Sequence, residues 1–72
     1  MQTSELSTIF KDLYHQAEKG STVVTIHLFG IKYAGQLEGH NLKEICTLAD
    51  VPTSFATEIR KGMRLAEHVT LK

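Results

Sequence analysis

What this sequence is short of narrows its reading first. It has one cysteine, Cys46, which excludes an internal disulfide framework. No apolar run approaches the roughly 20 residues that a membrane-spanning helix needs. The opening residues, MQTSELST, lack the basic start and apolar core of a signal peptide, so a cytoplasmic protein is expected. Net charge is missing too: eight Lys and Arg balance eight Asp and Glu. A DNA-binding domain usually carries a basic excess, so neutrality counts against that function. His15, His27, His40 and His68 lie far apart and show no metal-ligand spacing. No nucleophile-and-base arrangement, carboxylate pair or phosphate-cradling glycine loop stands out, so no catalytic residue, metal or cofactor is assigned. With apolar groups given over to a core, 72 residues leave little room for a substrate pocket, and an enzyme is not expected.

What is present describes an ordinary soluble globular chain, 42% hydrophobic and 22% charged. At 72 residues a single domain, 1–72, is expected. A chain this short buries roughly 60% of its unfolded surface, so its stability is modest and oligomerisation is a common remedy. The charge is uneven. Up to Glu38 there are three basic and four acidic residues, and from Gly39 onward five basic and four acidic. Arg60, Lys61 and Arg64 lie together.

Leu6, Ile9, Phe10, Leu13 and Ala17 recur at helical spacing, which predicts an amphipathic first helix capped by Ser4 or Ser7 and stopped at Gly20. The next stretch, Ser21–Glu38, reads two ways. Thr22-Val23-Val24-Thr25-Ile26 is β-branched enough for a strand, but no hairpin partner follows. Val24, Leu28, Ile31 and Leu37 fit one helical stripe, and Val23, Ile26, Phe29 and Tyr33 an adjacent one, so a central helix is the better fit. Gly30 and Gly35 each cost such a helix up to about 1 kcal/mol. Their use would be close approach by a neighbouring helix or a partner chain. His27 fits a hydrogen-bonded interior histidine. Surplus apolar surface over Val23, Ile26, Phe29 and Tyr33, or the first helix, is the candidate for dimer contacts.

The segment Asn41–Gly62 carries the functional signal. Asn41 caps a helix over Leu42–Ala49, with Glu44 three residues on as in a capping box. Asp50-Val51-Pro52 makes a turn, and a second helix runs from about Thr53 to Lys61, with Gly62 stopping or bending the chain. Two helices that cross steeply need small residues where they meet, and Cys46, Ala49 and Ala56 supply them. Asp50 stands where a left-handed backbone is required, and Asp tolerates it better than most side chains. Pro52 prevents the first helix from continuing. Beyond Gly62, Met63–Glu67 can add a helical turn, and His68–Lys72 can form a short extended tail. The expected architecture is an all-α bundle of about four helices: supporting helices over 1–39, a helix-turn-helix over 41–62 and a tail over 63–72.

The run from Ala49 to Gly62, ADVPTSFATEIRKG, resembles the turn and recognition helix of bacterial helix-turn-helix regulators of the lac-repressor kind. It departs from their pattern in having Asp50 for Gly and Pro52 for a capping Ser. The whole chain resembles small bacterial helix-turn-helix-like proteins. The resemblance implies a small transcriptional regulator or mobile-element accessory protein that binds double-stranded DNA, probing the major groove with the helix at about 53–61. It puts Thr53, Ser54 and Thr57 against bases or nearby phosphates. Glu58 would accept from a cytosine amino group and Lys61 would reach guanine or phosphate. Arg60, Arg64, Lys43 and the helix start at Asn41 would hold phosphates. Tight binding from so few cations calls for a homodimer on two half-sites. The alternative is a protein-interaction module of the same fold, with its partner docked on the central helix or on Phe55. Phe55 itself fits a core anchor better than an exposed wedge, and Cys46 a small buried residue.

Overall fold

The computed structural model describes residues 1–69. Five helices follow one another: α1 (Thr3–Gln16), α2 (Thr22–Lys32), α3 (Ala34–Leu37), α4 (Leu42–Leu48) and α5 (Ala56–Leu65). A 3-10 turn, Thr53–Phe55, leads into α5. There is no strand among the described residues, and the β-branched run Thr22–Ile26 is helical. Burial decides this: Ile26 and Phe29, one turn apart, are both fully inside. None of these helices is long and apolar enough to cross a membrane.

The first helix begins earlier than expected. Neither Ser4 nor Ser7 caps it. The Gln2 amide donates to the Glu5 carboxylate at 3.1 Å, while the buried Ser7 hydroxyl donates to the Thr3 carbonyl at 2.7 Å inside the first turn. The single helix expected over Ser21–Glu38 is broken at Tyr33, which sits at φ −109° and ψ 19°. Hydrogen bonds carry through the break, from the Tyr33 amide to the Phe29 carbonyl (3.0 Å) and from the Leu37 amide to the Tyr33 carbonyl (2.8 Å). The change of direction brings Leu37 into the core.

The core gathers one or more side chains from every helix. Leu6 and Phe10 come from α1, Ile26 and Phe29 from α2, Leu37 from α3, Ile45 and Cys46 from α4, and Ile59 from α5. Phe10 stacks on Phe29 with ring centroids 4.8 Å apart. Because Ile26 and Phe29 are consumed here, they cannot form the intermolecular contact expected of them. Val23, Val24 and Leu28 are the apolar residues of α2 left exposed.

α2 and α5 cross with their backbones touching. A Cβ on Gly30 would lie 2.5 Å from the Ile59 carbonyl oxygen and 2.9 Å from the Gly62 Cα. A Cβ on Gly62 would collide with the His27 carbonyl oxygen. Gly62 therefore does not stop the second helix as expected. It lies inside α5, where the helix needs an absent side chain. α5 continues to Leu65, and the His68 and Val69 amides still donate back to the Leu65 carbonyl at 2.9 and 3.0 Å. His68 and Val69 thus belong to a terminal turn rather than to an extended tail; the rest of that expected tail, 70–72, lies outside the described residues.

Adding a methyl group at the crossing drives backbone against backbone, so Gly30→Ala and Gly62→Ala should each lose about 3 kcal/mol or more of stability. Gly35 is the control: a Cβ there meets nothing within 4 Å, and Gly35→Ala within α3 should gain about 0.5–1 kcal/mol. Chemical denaturation of the three variants measures both signs.

Candidate nucleic-acid interface

α4 starts on a side-chain cap. The Asn41 Oδ1 accepts from the Lys43 amide at 3.0 Å and the Glu44 amide at 3.2 Å. This oxygen serves the helix's own donors, and two of the amides that phosphate contact at the helix start was expected to use are already engaged. The helix ends one residue before Ala49 in a Schellman arrangement. The Val51 amide donates to the Cys46 carbonyl (2.9 Å) and the Asp50 amide to the Thr47 carbonyl (3.1 Å). Asp50 occupies the left-handed position at φ 60°, where the sequence placed it. Val51 and Cys46 are buried together beneath the turn. Pro52 then leads into the 3-10 turn, and its carbonyl accepts from the Phe55 amide at 3.1 Å. The second helix of the pair thus starts as a tighter 3-10 turn and becomes an α-helix only at Ala56.

At roughly 100° per residue, Ala56, Ile59, Gly62 and Met63 fall on the inner side of α5. The first three are buried and Met63 packs against the core. The opposite side carries Thr57, Lys61 and Arg64, all exposed, with exposed Arg60 beside them toward α4. Thr53 and Ser54 are exposed on the 3-10 turn that precedes them. A shallow groove of about 420 Å³ joins Asn41 and Lys43 to Thr57 and Arg60. A second groove, of about 500 Å³, continues past Arg60 to Arg64, with Glu38 and Glu67 on its lining. Lys43, Thr57, Arg60 and Arg64 therefore share one side of the molecule. No ion pair involves Lys43, Arg60 or Arg64 among the described residues.

Glu58 is set apart from this group. It is the least exposed of the expected contact residues, and its carboxylate faces α2. The His27 Nε2 lies 2.7 Å from one oxygen and the Lys61 Nζ 3.1 Å from the other. The hydrogen bond from His27, and then that from Lys61, hold the Glu58 pKa below its ordinary value. Its expected role as an acceptor for cytosine therefore meets competition from within the fold. His27 is the hydrogen-bonded histidine expected of it, but half-buried at the helix crossing. Phe55 packs half-buried against the core, 6.0 Å from the Tyr14 ring, as an anchor and not a wedge. Cys46 is fully buried, and burial pushes its thiol pKa up.

Sequence reasoning missed the part played by His40. Its Nδ1 lies 2.7 Å from the Thr3 hydroxyl, tying the start of α1 to the loop before α4. Contact across 37 residues left no local signal.

Two outcomes follow from this geometry. Asp50 holds a Cβ at positive φ and a negative charge at the negative end of α4. Asp50→Gly should raise stability by up to about 1 kcal/mol and Asp50→Ile lower it by about 1–2 kcal/mol, read from denaturation midpoints. Glu58 has a lowered pKa in the fold, so its ionised form adds stability above its unfolded value of 4.5 and loses it as pH falls through the folded value. Wild type should melt above Glu58→Gln near neutrality, with the gap closing as thermal scans move from about pH 6 to about pH 3.

The chain matches no curated protein and no solved structure. A family model does match, over residues 2–72, and its description is HTH-like domain. That match spans the supporting helices as well as the turn, and it does not carry the lac-repressor likeness of the segment around Asp50. With a Schellman turn at Asp50, small buried residues between α4 and α5, and a family match across almost its whole length, the chain belongs to the HTH-like domain family.

Proposed function

We propose that this chain is a cytoplasmic DNA-binding protein, a small bacterial transcriptional regulator or mobile-element accessory protein, that lays α5 in the major groove. The observation that carries the reading is the shared exposure of Thr57, Arg60 and Arg64 on α5 next to Lys43 on α4, with no acid paired to these cations among the described residues. Thr53, Ser54 and Thr57 stand at the N-terminal part of the reading segment, the part that meets base edges in this mode of docking. Arg60, Arg64 and Lys43 flank them as phosphate contacts, which position a protein on the duplex without reading its sequence. Neutral overall charge keeps the electrostatic contribution small, because each phosphate contact adds only about 0.9 to the salt slope. Binding as a homodimer on two half-sites would double it. The contact proposed for that dimer moves from the buried stripe of α2 to the apolar groove between α1 and α2, lined by Ile9, Leu13 and Leu28.

Selection of bound sequences from random duplexes, followed by a salt titration, tests the reading. The selected sites should repeat as half-sites about one helical turn apart. Arg60→Ala should weaken selected and random duplexes alike and lower the salt slope by about 0.9. Thr57→Ala should cost roughly 1 kcal/mol on the selected site and little on random DNA. Folded variants that bind as wild type does would remove α5 from the interface, and single unrepeated sites would remove the dimer.

A further inference from the structure

We propose that Glu58 is a positioning residue that restrains DNA binding: its carboxylate holds the Lys61 ammonium and cancels one positive charge on the reading helix. This rests on the DNA-binding reading above. Of the three cations grouped on α5, only Lys61 has an acid partner among the described residues. The Glu58 carboxylate is itself held from the far side by the His27 Nε2 at 2.7 Å. His27 sits on α2 at the tightest point of the crossing, where its carbonyl oxygen abuts Gly62. The carboxylate is thus positioned by the packing of two helices and not only by its own rotamer. Its side chain is 22% exposed against 59% for Lys61, so the acid is the fixed member of the pair and the ammonium the movable one.

The consequence for duplex DNA is a division of labour along α5. Arg60 and Arg64 meet phosphates directly. Lys61 reaches one only by leaving Glu58, which stays against His27 and keeps its negative charge on α5 beside the contact. Attraction to arbitrary duplexes is reduced by about one counterion while contacts specific to a site are untouched, and selectivity rises by weakening the wrong complexes. A cytosine amino group would compete with His27 and Lys61 for the same two oxygens, so Glu58 acts here through Lys61 and not on a base.

The test is fluorescence anisotropy of a random-sequence duplex across salt, with wild type, Glu58→Gln, Lys61→Ala and the double variant. Glu58→Gln keeps shape and hydrogen-bonding reach but has no charge. It should tighten binding and steepen the salt slope by about 0.9, so its advantage over wild type shrinks by about 3.5-fold between about 50 and 200 mM salt. Lys61→Ala should barely alter the slope in wild type and should remove the added 0.9 in the Glu58→Gln background. An unchanged slope in Glu58→Gln, or a loss of about 0.9 from Lys61→Ala alone, overturns the proposal. Should Glu58→Gln fail to fold by circular dichroism, the Lys61→Ala arm decides, since that side chain is exposed and outside the core. Binding by wild type without the predicted slope changes sinks the Glu58 role and leaves the DNA reading standing. No binding by any of the four proteins sinks both.

Discussion

Two helices bring their backbones into contact only where neither has a side chain in the way, and α2 and α5 do so at Gly30 and Gly62. A Cβ on either residue would meet the other helix's backbone, not a movable side chain, so neither residue can relax around a substitution. This contact sets how deep α5 sits. It brings Ile59 into the core beside Ile26 and Phe29, and it turns Thr57, Lys61 and Arg64 outward. It also decides that His27 and Glu58 meet, since both flank the crossing. The orientation of the proposed reading helix is therefore a property of α2 as much as of the turn that precedes it.

The turn supplies the second constraint. α4 closes on two backbone hydrogen bonds that require a left-handed residue at Asp50. Gly is the unstrained choice there, and Asp brings both a Cβ and a charge of the wrong sign for a helix C-terminus. Val51, buried in the core and hydrogen-bonded through its amide to the Cys46 carbonyl, and Pro52, which cannot continue a helix, fix the chain after it. α4 and α5 are held by these local devices, and α1 is tied in through the Thr3–His40 contact at the other end of α4.

In this neutral chain Lys43, Arg60 and Arg64 share one side, with Glu38 and Glu67 lining the groove that reaches Arg64. Arg60, Arg64 and Lys43 stand free of acid partners among the described residues, while Lys61 is held by Glu58. The same acid contributes to the helix crossing through His27 and offsets one positive charge on the exposed side of α5. Its lowered pKa follows from those two hydrogen bonds, which favour the ionised form. Glu58 thus joins the helix crossing to the charge state of α5, since His27 on α2 and Lys61 on α5 hold the same carboxylate.

Local chemistry was legible in the chain itself. The Asn41 cap, the left-handed Asp50, the stop imposed by Pro52 and the inner face of Ile45, Cys46, Ala49, Ala56 and Ile59 each depend on residues within a few positions of one another, where spacing and propensity act directly. That is why the all-α class and the helix-turn-helix could be read without coordinates. The features that went astray depend on contacts between distant segments. Gly62 resembled a helix stop because a glycine's local meaning is a break, whereas its partner Gly30 lies on another helix. Ile26 and Phe29 resembled a surplus stripe because periodicity counts apolar residues without showing what covers them. The hydrogen bond between His27 and Glu58 left no local signal because the two lie 31 residues apart. The sequence by itself determined the all-α class and how the turn is made; only the tertiary structure decided where the second helix breaks, which faces the helices bury and which charges pair, because burial and pairing depend on distance in space and not along the chain.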